Sequence, residues 1–309
     1  MAPQTRVLIK LRPTPDLAAV SPRVNLRPLY DPLPPSGDFG LAGQPTWFLA
    51  DLPDGGPTPW DAAHVQAAAQ LGLAPSDVLS IEPDLPQTIY RDAAEREGED
   101  TLALDQDCTT LRQQTSQGGR FVGPKDAWHL EDSYSQLASA RAAVEFRSPR
   151  TRIAHIDTGY DRDHETCPRH ILTYLERNFV NGDDQPRSAQ DPDFMGILDN
   201  SGHGTGTLGI LAGKESSQLG NLVLGGAPEA DILPLRISNR VVLFYTSALA
   251  QALNYALRQK CDVISLSMGG LPSGAWNEAV NEAYEAGICM VAAAGNNYAS
   301  LPTRHVVYP

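Results

Sequence analysis

No stretch of the 309-residue sequence approaches 18 consecutive apolar residues, so the sequence predicts no membrane-spanning helix. The N-terminus also lacks a basic segment followed by an apolar stretch, which is the pattern of a secretory signal. Positive charge is in short supply, with 24 lysines and arginines against 37 acidic residues and a formal net charge of −13. Because such a chain is a poor partner for a phosphate backbone, we expect no nucleic-acid partner and no membrane partner.

Cysteine is also rare, and its positions follow no metal-binding or disulfide spacing. There is no CxxC pair, and the glycines near residue 225 do not form a GxGxxG nucleotide-binding fingerprint. We therefore expect reduced thiols, a cytoplasmic location, and no metal or organic cofactor. The four cysteines are Cys108, Cys167, Cys261 and Cys289.

The first 85 residues have the pattern of a small α+β domain. Strand-like segments at 6–12, 47–52 and 78–82 accompany a helical run at 60–71 that is rich in alanine and glutamine. A proline-rich stretch at 28–45 separates the first two strands and is predicted to form a loop.

An acidic linker is predicted after this domain, at 86–127. Its segment 91–107 contains seven acidic and two basic residues, which is typical of a solvated connection rather than a packed element. The sequence therefore predicts three parts, namely an α+β domain at 1–85, the linker at 86–127 and a larger domain at 128–309.

Helix and strand alternate in the larger domain. Its predicted strands are near-continuous apolar runs, which is typical of a parallel sheet covered by helices on both faces. The fold class predicted here is therefore α/β. The predicted strands are 152–156, 230–237, 262–268 and 288–294, and the predicted helices are 132–146, 203–213, 247–259 and 275–286.

Three polar residues fall where a parallel sheet forms its functional sites, beyond the carboxyl ends of the strands. Asp157 directly follows a buried strand, His203 begins a helix between glycines, and Asn296 closes another apolar strand. A buried Asp can hold an imidazole in one tautomer, and the imidazole can then serve as a general base. An Asn amide can donate a hydrogen bond to a developing oxyanion. The trio therefore suggests acyl transfer, with the nucleophile still to be found.

The motifs IAHIDTG, NSGHGTGT, ISLSMGG and VAAAGN occur in that order between residues 153 and 296. Together they resemble the subtilisin-like serine peptidases, and the resemblance covers residues 128–309. It implies a subtilisin-like parallel sheet covered by helices and a serine endopeptidase acting on polypeptides in extended conformation.

The resemblance also implies roles for individual residues. Asp157 would orient His203, His203 would be the general base, and Asn296 would belong to the oxyanion hole. Extended substrate would pair with a strand of the enzyme through main-chain hydrogen bonds. That substrate-binding strand consists of Ser267, Met268 and Gly269.

The nucleophilic serine of this family lies in a GTS-type motif several tens of residues beyond the oxyanion Asn. Here 13 residues follow Asn296, and the sequence contains no GTS. Ser247 lacks the flanking glycine and proline of that motif, and it precedes the substrate-binding strand. We therefore expect the 309-residue chain to stop inside the catalytic domain and, taken as it stands, to be inactive.

Two further features bear on the resemblance. The segment VLSIEPDL at 78–85 resembles the end of a subtilisin propeptide, so we expect the α+β domain to be a propeptide-like unit that inhibits the enzyme intramolecularly. Where the family's calcium site takes an Asp, this chain has Thr166, and the loop at 215–225 offers few oxygen ligands. We therefore predict no calcium site there.

Two alternative functions remain open at this point. One is a non-catalytic protein that binds extended peptides through Ser267–Gly269. The other is a metal-dependent hydrolase that uses His155, Asp157 and His203, although a buried, hydrogen-bonded His155 is the simpler interpretation. A serine-directed fluorophosphonate probe separates a peptidase from a peptide-binding protein, and chelation tests the metal-dependent alternative.

Overall fold

The structure is a computed structural model. It describes residues 5–13, 20, 22, 24–30, 46–53, 62–86, 127–144, 149–180, 184–191, 202–217, 220–239, 245–294 and 308–309. The predicted loop at 28–45 and the predicted acidic linker lie largely outside these residues, and Cys108 and Asn296 lie wholly outside them.

The strands within the described residues are β1 (Thr5–Leu11), β2 (Asn25–Pro28), β3 (Thr46–Leu52), β4 (Val78–Pro83), β5 (Arg152–Asp157), β6 (Arg177–Asn178), β7 (Gln185–Pro186), β8 (Glu215–Ser216), β9 (Leu222–Val223), β10 (Asp231–Arg236), β11 (Val263–Leu266) and β12 (Cys289–Ala292). The helices are α1 (Ala63–Leu71), α2 (Leu137–Ala143), α3 (His203–Ala212), α4 (Thr246–Arg258) and α5 (Gly274–Glu285), with 3₁₀ turns at Pro75–Asp77 and Trp128–Leu130.

The N-terminal strands form an antiparallel sheet in the order β2-β3-β1-β4. Alternate residues of β1 face opposite sides of this sheet, as the pleat requires. Ile9 lies in a core with Leu71 of α1, whereas Leu8 lies in a core shared with α4 and α5. The three predicted strands and the helix agree with the observed elements, whereas β2 was not predicted.

The second sheet has the order β12-β11-β5-β10-β6-β7, and its first five strands run parallel. Ile153 of β5 packs in a core with Leu208 of α3, and the next residue, Ala154, packs in the core that contains α4 and α5. Both faces of the sheet are therefore covered by helices. The predicted α/β class with a parallel sheet is confirmed.

Helices α4 and α5 are held together where they begin. Trp276 of α5 is 1 % exposed, and its indole Nε1 donates to the carbonyl oxygen of Thr246 at 2.7 Å. Ser273 caps α5 by accepting a hydrogen bond from the Trp276 amide at 3.3 Å. The two helices therefore present their N-termini side by side.

The predicted helix at 132–146 is too long at its start, because the observed helix α2 is Leu137–Ala143; residues 145 and 146 lie outside the described residues. Gln136 precedes it with a φ of 58°, in the left-handed region that interrupts a helix. The amides of residues 134–136 bond instead to the carbonyl oxygen of Glu131, which closes a turn. The short strands β6 to β9 were also not predicted, because two residues are too few to form a recognisable apolar pattern.

None of the helices in the described ranges is both long and apolar enough to cross a bilayer.

Ile264 tests how the second sheet is stabilised. It is 0 % exposed in β11, between β12 and β5. We expect Ile264→Ala to lower the free energy of unfolding by about 2–5 kcal/mol, because it leaves a cavity in the core. Val291 of the neighbouring strand is 57 % exposed, and Val291→Ala is the matched control with an expected change below about 0.5 kcal/mol. Urea unfolding measures both, and equal losses would contradict this account of the core.

Candidate active site

Asp157 is the last residue of β5, at the carboxyl end of a central strand. It is 0 % exposed. A carboxylate in such a place is stable only when hydrogen bonds replace the water that it has lost. The donors around Asp157 therefore define the site.

Two donors meet on Oδ1 of Asp157. The Thr158 amide and Nδ1 of His203 both lie 2.7 Å from it. The other oxygen, Oδ2, accepts from the hydroxyl of Thr207 at 3.0 Å. Burial alone raises the pKa of Asp157, but the His203 hydrogen bond, the nearby imidazoles and the Thr158 amide outweigh it and hold that pKa below its ordinary value. The carboxylate is therefore the charged partner of the pair.

Glycines allow the start of α3 to reach this carboxylate. A Cβ on Gly204 would lie 2.0 Å from the carbonyl oxygen of Gly159, which is too close for any side chain. The Gly204 amide donates to the hydroxyl of Thr158 at 3.1 Å. This close contact between the helix start and the turn after Asp157 brings His203 to the carboxylate.

A second carboxylate holds the residue before the helix. Gly202 has a φ of 90°, in the left-handed region that favours glycine, and its amide donates to Oδ2 of Asp191 at 2.7 Å. The His203 side chain is 28 % exposed, whereas that of Asp157 is 0 % exposed. The imidazole therefore has one edge on a buried acid and remains partly open to solvent.

His155 lies two residues before Asp157, on the same face of β5. It is 3 % exposed, and its Nε2 lies 2.9 Å from the hydroxyl oxygen of Thr207 and 3.8 Å from Oδ2 of Asp157. Burial lowers the pKa of His155, and the charge of Asp157 opposes that effect only in part. This geometry matches the interpretation of His155 as a buried, hydrogen-bonded residue.

The metal-dependent alternative finds no support. In the part of the chain that the structure describes, no three His, Cys, Asp or Glu side chains are grouped so that they could hold a metal ion. Nδ1 of His203 faces Asp157, and Nε2 of His155 faces Thr207, so the two imidazoles do not converge on a common point.

The residues around Thr166 are linked to one another by hydrogen bonds, and the absence of a calcium site there stays a prediction. The hydroxyl of Thr166 lies 2.9 Å from Nδ1 of His164. Nearby, Glu165 bonds to the hydroxyls of Ser216 and Ser217, and it thereby ties the loop to the β8–β9 hairpin. Side-chain and backbone hydrogen bonds thus hold this corner together.

The predicted substrate-binding strand follows β11, next to the site. Leu266 pairs with Ile156, so residues 267–269 leave the sheet at the same edge as Asp157. Met268 is buried, and Ser267 and Gly269 are partly exposed. The pairing of these residues with substrate stays a prediction. The predicted oxyanion residue Asn296 lies outside the described residues.

Sequence reasoning missed three residues that touch the pair or its supports. Thr158, Asp191 and Thr207 supply the contacts described above. A signal existed for Thr207, because it follows His203 by four residues and so lies on the same face of the helix. Asp191 had none, because its role depends on a contact between distant segments.

The described site is thus a buried acid that holds Nδ1 of a partly exposed imidazole at the carboxyl edge of a parallel α/β sheet, an arrangement that can serve general-base chemistry. Residues 149–309, more than half of the sequence, match the family model described as the Subtilase family, Peptidase_S8. The chain belongs to this family of subtilisin-like peptidases.

Individual relatives agree with the family match. The chain is 35 % identical over 153 residues to an intracellular serine protease of Paenibacillus polymyxa, an alignment that covers 48 % of this chain and 43 % of that protein. It is 32 % identical over 158 residues to thermitase of Thermoactinomyces vulgaris, covering 51 % of each. It is 36 % identical over 166 residues to subtilisin DY of Bacillus licheniformis, covering 53 % and 54 %. The chain thus spans about half the length of the curated relatives it matches.

Two glycines of α3 give a matched test of the close approach. We expect Gly204→Ala to lower the free energy of unfolding by about 1–3 kcal/mol or more, because the new Cβ collides with backbone. A Cβ on Gly206 meets nothing within 4 Å, so Gly206→Ala is expected to raise stability by about 0.5–1 kcal/mol. Thermal unfolding of both variants measures the contrast. A stable Gly204→Ala variant would refute the close approach.

Proposed function

We propose that the protein, in its complete form, is a serine endopeptidase that hydrolyses peptide bonds through an Asp–His–Ser triad. The observation that carries the proposal is the 2.7 Å hydrogen bond between Nδ1 of His203 and the fully buried Asp157. A proton held on Nδ1 leaves the lone pair of the neutral ring on Nε2, where a general base needs it. Family membership and the names of the relatives support the same activity.

The proposed reaction begins when His203 removes the proton of a serine hydroxyl as its oxygen attacks the substrate carbonyl carbon. Asp157 stabilises the imidazolium that forms. The amide of Asn296 donates to the oxyanion of the tetrahedral intermediate. His203 then gives its proton to the leaving amine, and an acyl-enzyme remains. Water, activated by the same imidazole, releases the acyl group.

Substrate is proposed to bind as an extended strand along Ser267, Met268 and Gly269. Main-chain hydrogen bonds carry such binding and accept many side chains. The partly exposed positions on either side of buried Met268 are consistent with this role. The nucleophilic serine is proposed to lie beyond Asn296, as in the family pattern. Ser247 is engaged elsewhere, because its hydroxyl donates to Asp84 at 2.9 Å.

The catalytic assignment predicts large and specific losses of turnover. In the complete protein we expect Asp157→Asn to lower kcat by roughly 10⁴-fold and His203→Ala by roughly 10⁶-fold. Hydrolysis of a chromogenic peptide measures both, and covalent labelling with a fluorophosphonate should fall in parallel. Asp161→Asn is the control, because Asp161 is exposed and lies outside the pair.

The same measurements test the non-catalytic alternative. A complete protein that is never labelled, yet binds peptide equally well with and without Asp157→Asn, would be a peptide-binding protein and would refute the peptidase proposal.

We further propose that residues 1–85 form a propeptide-like inhibitory domain. One face of its sheet lies against α4 and α5, where Trp47 shares a core with Ala275 and Ala279. The indole Nε1 of Trp47 and Nζ of Lys10 both donate to Oε2 of Glu278, at 2.8 and 2.6 Å. The interface therefore combines apolar packing with partly buried charge.

Two carboxylates of this domain lie at the N-termini of the paired helices. Glu82 accepts from the Ser273 hydroxyl at 2.6 Å and from the amides of Gly274 and Ala275 at 2.8 and 3.2 Å. Asp84 accepts from the Ser247 amide at 2.9 Å. A negative charge is favourable at a helix N-terminus because the orphan amides and the helix dipole both attract it.

The chain after β4 passes the N-terminus of α4, after a tight turn in which the Leu85 amide donates to the carbonyl oxygen of Pro83 at 3.0 Å. The Thr246 amide donates to the carbonyl oxygen of Leu85 at 3.2 Å, and Pro86 forms an antiparallel bridge with Tyr245. This pairing resembles the way an extended peptide would be held. The last described residues of the domain are therefore held against the start of α4, and we propose that the domain inhibits by docking there.

A substitution of Glu82 tests the inhibitory domain in the complete protein. Removing three charge-assisted hydrogen bonds with Glu82→Ala should weaken docking by about 2 kcal/mol, or about 30-fold in the docking equilibrium. We expect faster peptide hydrolysis and faster hydrogen exchange at the amides of Gly274 and Ala275.

The matched control is Asp77→Ala. Asp77 accepts a hydrogen bond from the Ala74 amide inside its own domain and should leave docking unchanged. Faster exchange at Gly274 without faster hydrolysis would mean that the domain docks but does not inhibit.

A reducing, cytoplasmic location is also part of the proposal. Cys167, Cys261 and Cys289 are free thiols in the described part of the chain. Burial raises the pKa of Cys261 to about 12, so that thiol stays protonated and is unreactive.

A further inference from the structure

We propose that Thr207 is a positioning residue for the Asp157–His203 pair and that buried His155 fixes the direction of its hydroxyl. This proposal deepens the proposed function and rests on it, because it concerns the same pair. It assigns to Thr207 and His155 a role that the sequence motifs did not suggest.

The hydroxyl of Thr207 has three polar neighbours and only one proton. Its oxygen lies 3.0 Å from Oδ2 of Asp157, 3.2 Å from the carbonyl oxygen of Gly204 and 2.9 Å from Nε2 of His155. The carboxylate is the nearer of the two oxygen acceptors and carries the charge, so it receives the proton. The hydroxyl then has lone pairs left to accept a hydrogen bond.

His155 supplies that hydrogen bond. A neutral imidazole has one donor nitrogen and one acceptor nitrogen, and the neighbour decides which is which. Because the hydroxyl proton of Thr207 is committed to Asp157, Nε2 of His155 carries the proton and donates to the Thr207 oxygen. The result is a directed chain from His155 through Thr207 to Oδ2 of Asp157.

This chain fixes the rotation of the carboxylate. Oδ1 is held by the Thr158 amide and by His203, and Oδ2 is held by Thr207. Asp157 is 0 % exposed, so bulk water cannot replace a missing donor. Without Thr207 the carboxylate gains by turning Oδ2 towards another donor, and the bond from Oδ1 to His203 loosens.

Two elements must agree for this arrangement to form. His155 and Asp157 are two apart on a strand and so face the same side, and His203 and Thr207 are four apart on a helix and so share a face. The strand therefore presents His155 and Asp157 to the helix, and the helix presents His203 and Thr207 to the strand. A hydroxyl at 207 matters only because His155 and Asp157 both face it.

The experiment is nitrogen-15 NMR of histidine-labelled full-length chain near neutral pH, which reports which ring nitrogen carries the proton. In the unmodified protein we expect the Nδ1–H tautomer for His203 and the Nε2–H tautomer for His155. A protonated His155, or one in the Nδ1–H form, would overturn the proposal without any variant.

Substitutions at Thr207 then test the positioning role. Thr207→Val keeps the shape and removes the hydroxyl, and we expect the ratio of Nδ1–H to Nε2–H tautomer at His203 to fall about tenfold. Thr207→Ser restores the hydroxyl and should restore the ratio. An unchanged ratio in Thr207→Val would mean that Thr207 only packs, and it would overturn the proposal.

Thr205→Val is the matched control on the same helix. The Thr205 hydroxyl accepts from the Asp161 amide at 2.9 Å, so its loss should not alter His203. In the complete enzyme, Thr207→Val should also lower kcat about tenfold with KM unchanged, since it disturbs the base and not substrate binding.

The two proposals can fail separately. The tautomer measurement needs no turnover, so the expected ratios in a protein without peptidase activity would refute the proposed function and leave the positioning role intact. Peptidase activity together with a His203 tautomer ratio that Thr207→Val leaves unchanged would refute the positioning role and leave the proposed function intact.

Discussion

The buried carboxylate of Asp157 is the constraint to which the rest of the site responds. A charge at the end of a central strand, with no exposure to solvent, requires donors from the protein itself. Those donors come from the next residue of the chain and from two positions on α3. Satisfying the acid therefore also places the imidazole of His203, because the same hydrogen bonds fix the helix against the strand.

The backbone has to make room for that placement. Gly204 lets the first turn of α3 contact the turn after Asp157, and Gly202 with Asp191 sets the angle at which the chain enters the helix. Glycine in a helix lowers stability through its conformational freedom, so the helical position Gly204 loses stability in exchange for a close contact. The core that packs Leu208 against Ile153 offsets this cost and keeps the helix on the sheet.

The N-terminal sheet is also held by hydrogen bonds between carboxylates and donors that would otherwise lack acceptors. The N-termini of α4 and α5 expose amides that need acceptors, and Glu82 of β4 and Asp84 just after it provide them from the N-terminal domain. Trp47 adds apolar contact beside these polar bonds. The proposed inhibition and the proposed catalysis therefore lie on one framework, because the helices that receive the N-terminal domain also flank the strand that leads to Ser267.

The sequence alone determined the α/β class, most strands and helices, and the pairing of Asp157 with His203, because apolar runs and short motifs are local and survive without a structure. It could not place β2 or the two-residue strands, and it extended the helix before β5 too far, since a left-handed Gln136 leaves no compositional trace. The roles of Asn296 and of Ser267–Gly269 stay predictions. Only the tertiary structure decided that His155 faces Thr207, and that Asp84 and Glu82 accept hydrogen bonds from helix starts 163 and 192 residues away. Contacts of that kind depend on how distant segments pack, so the spacing of residues along the chain cannot predict them.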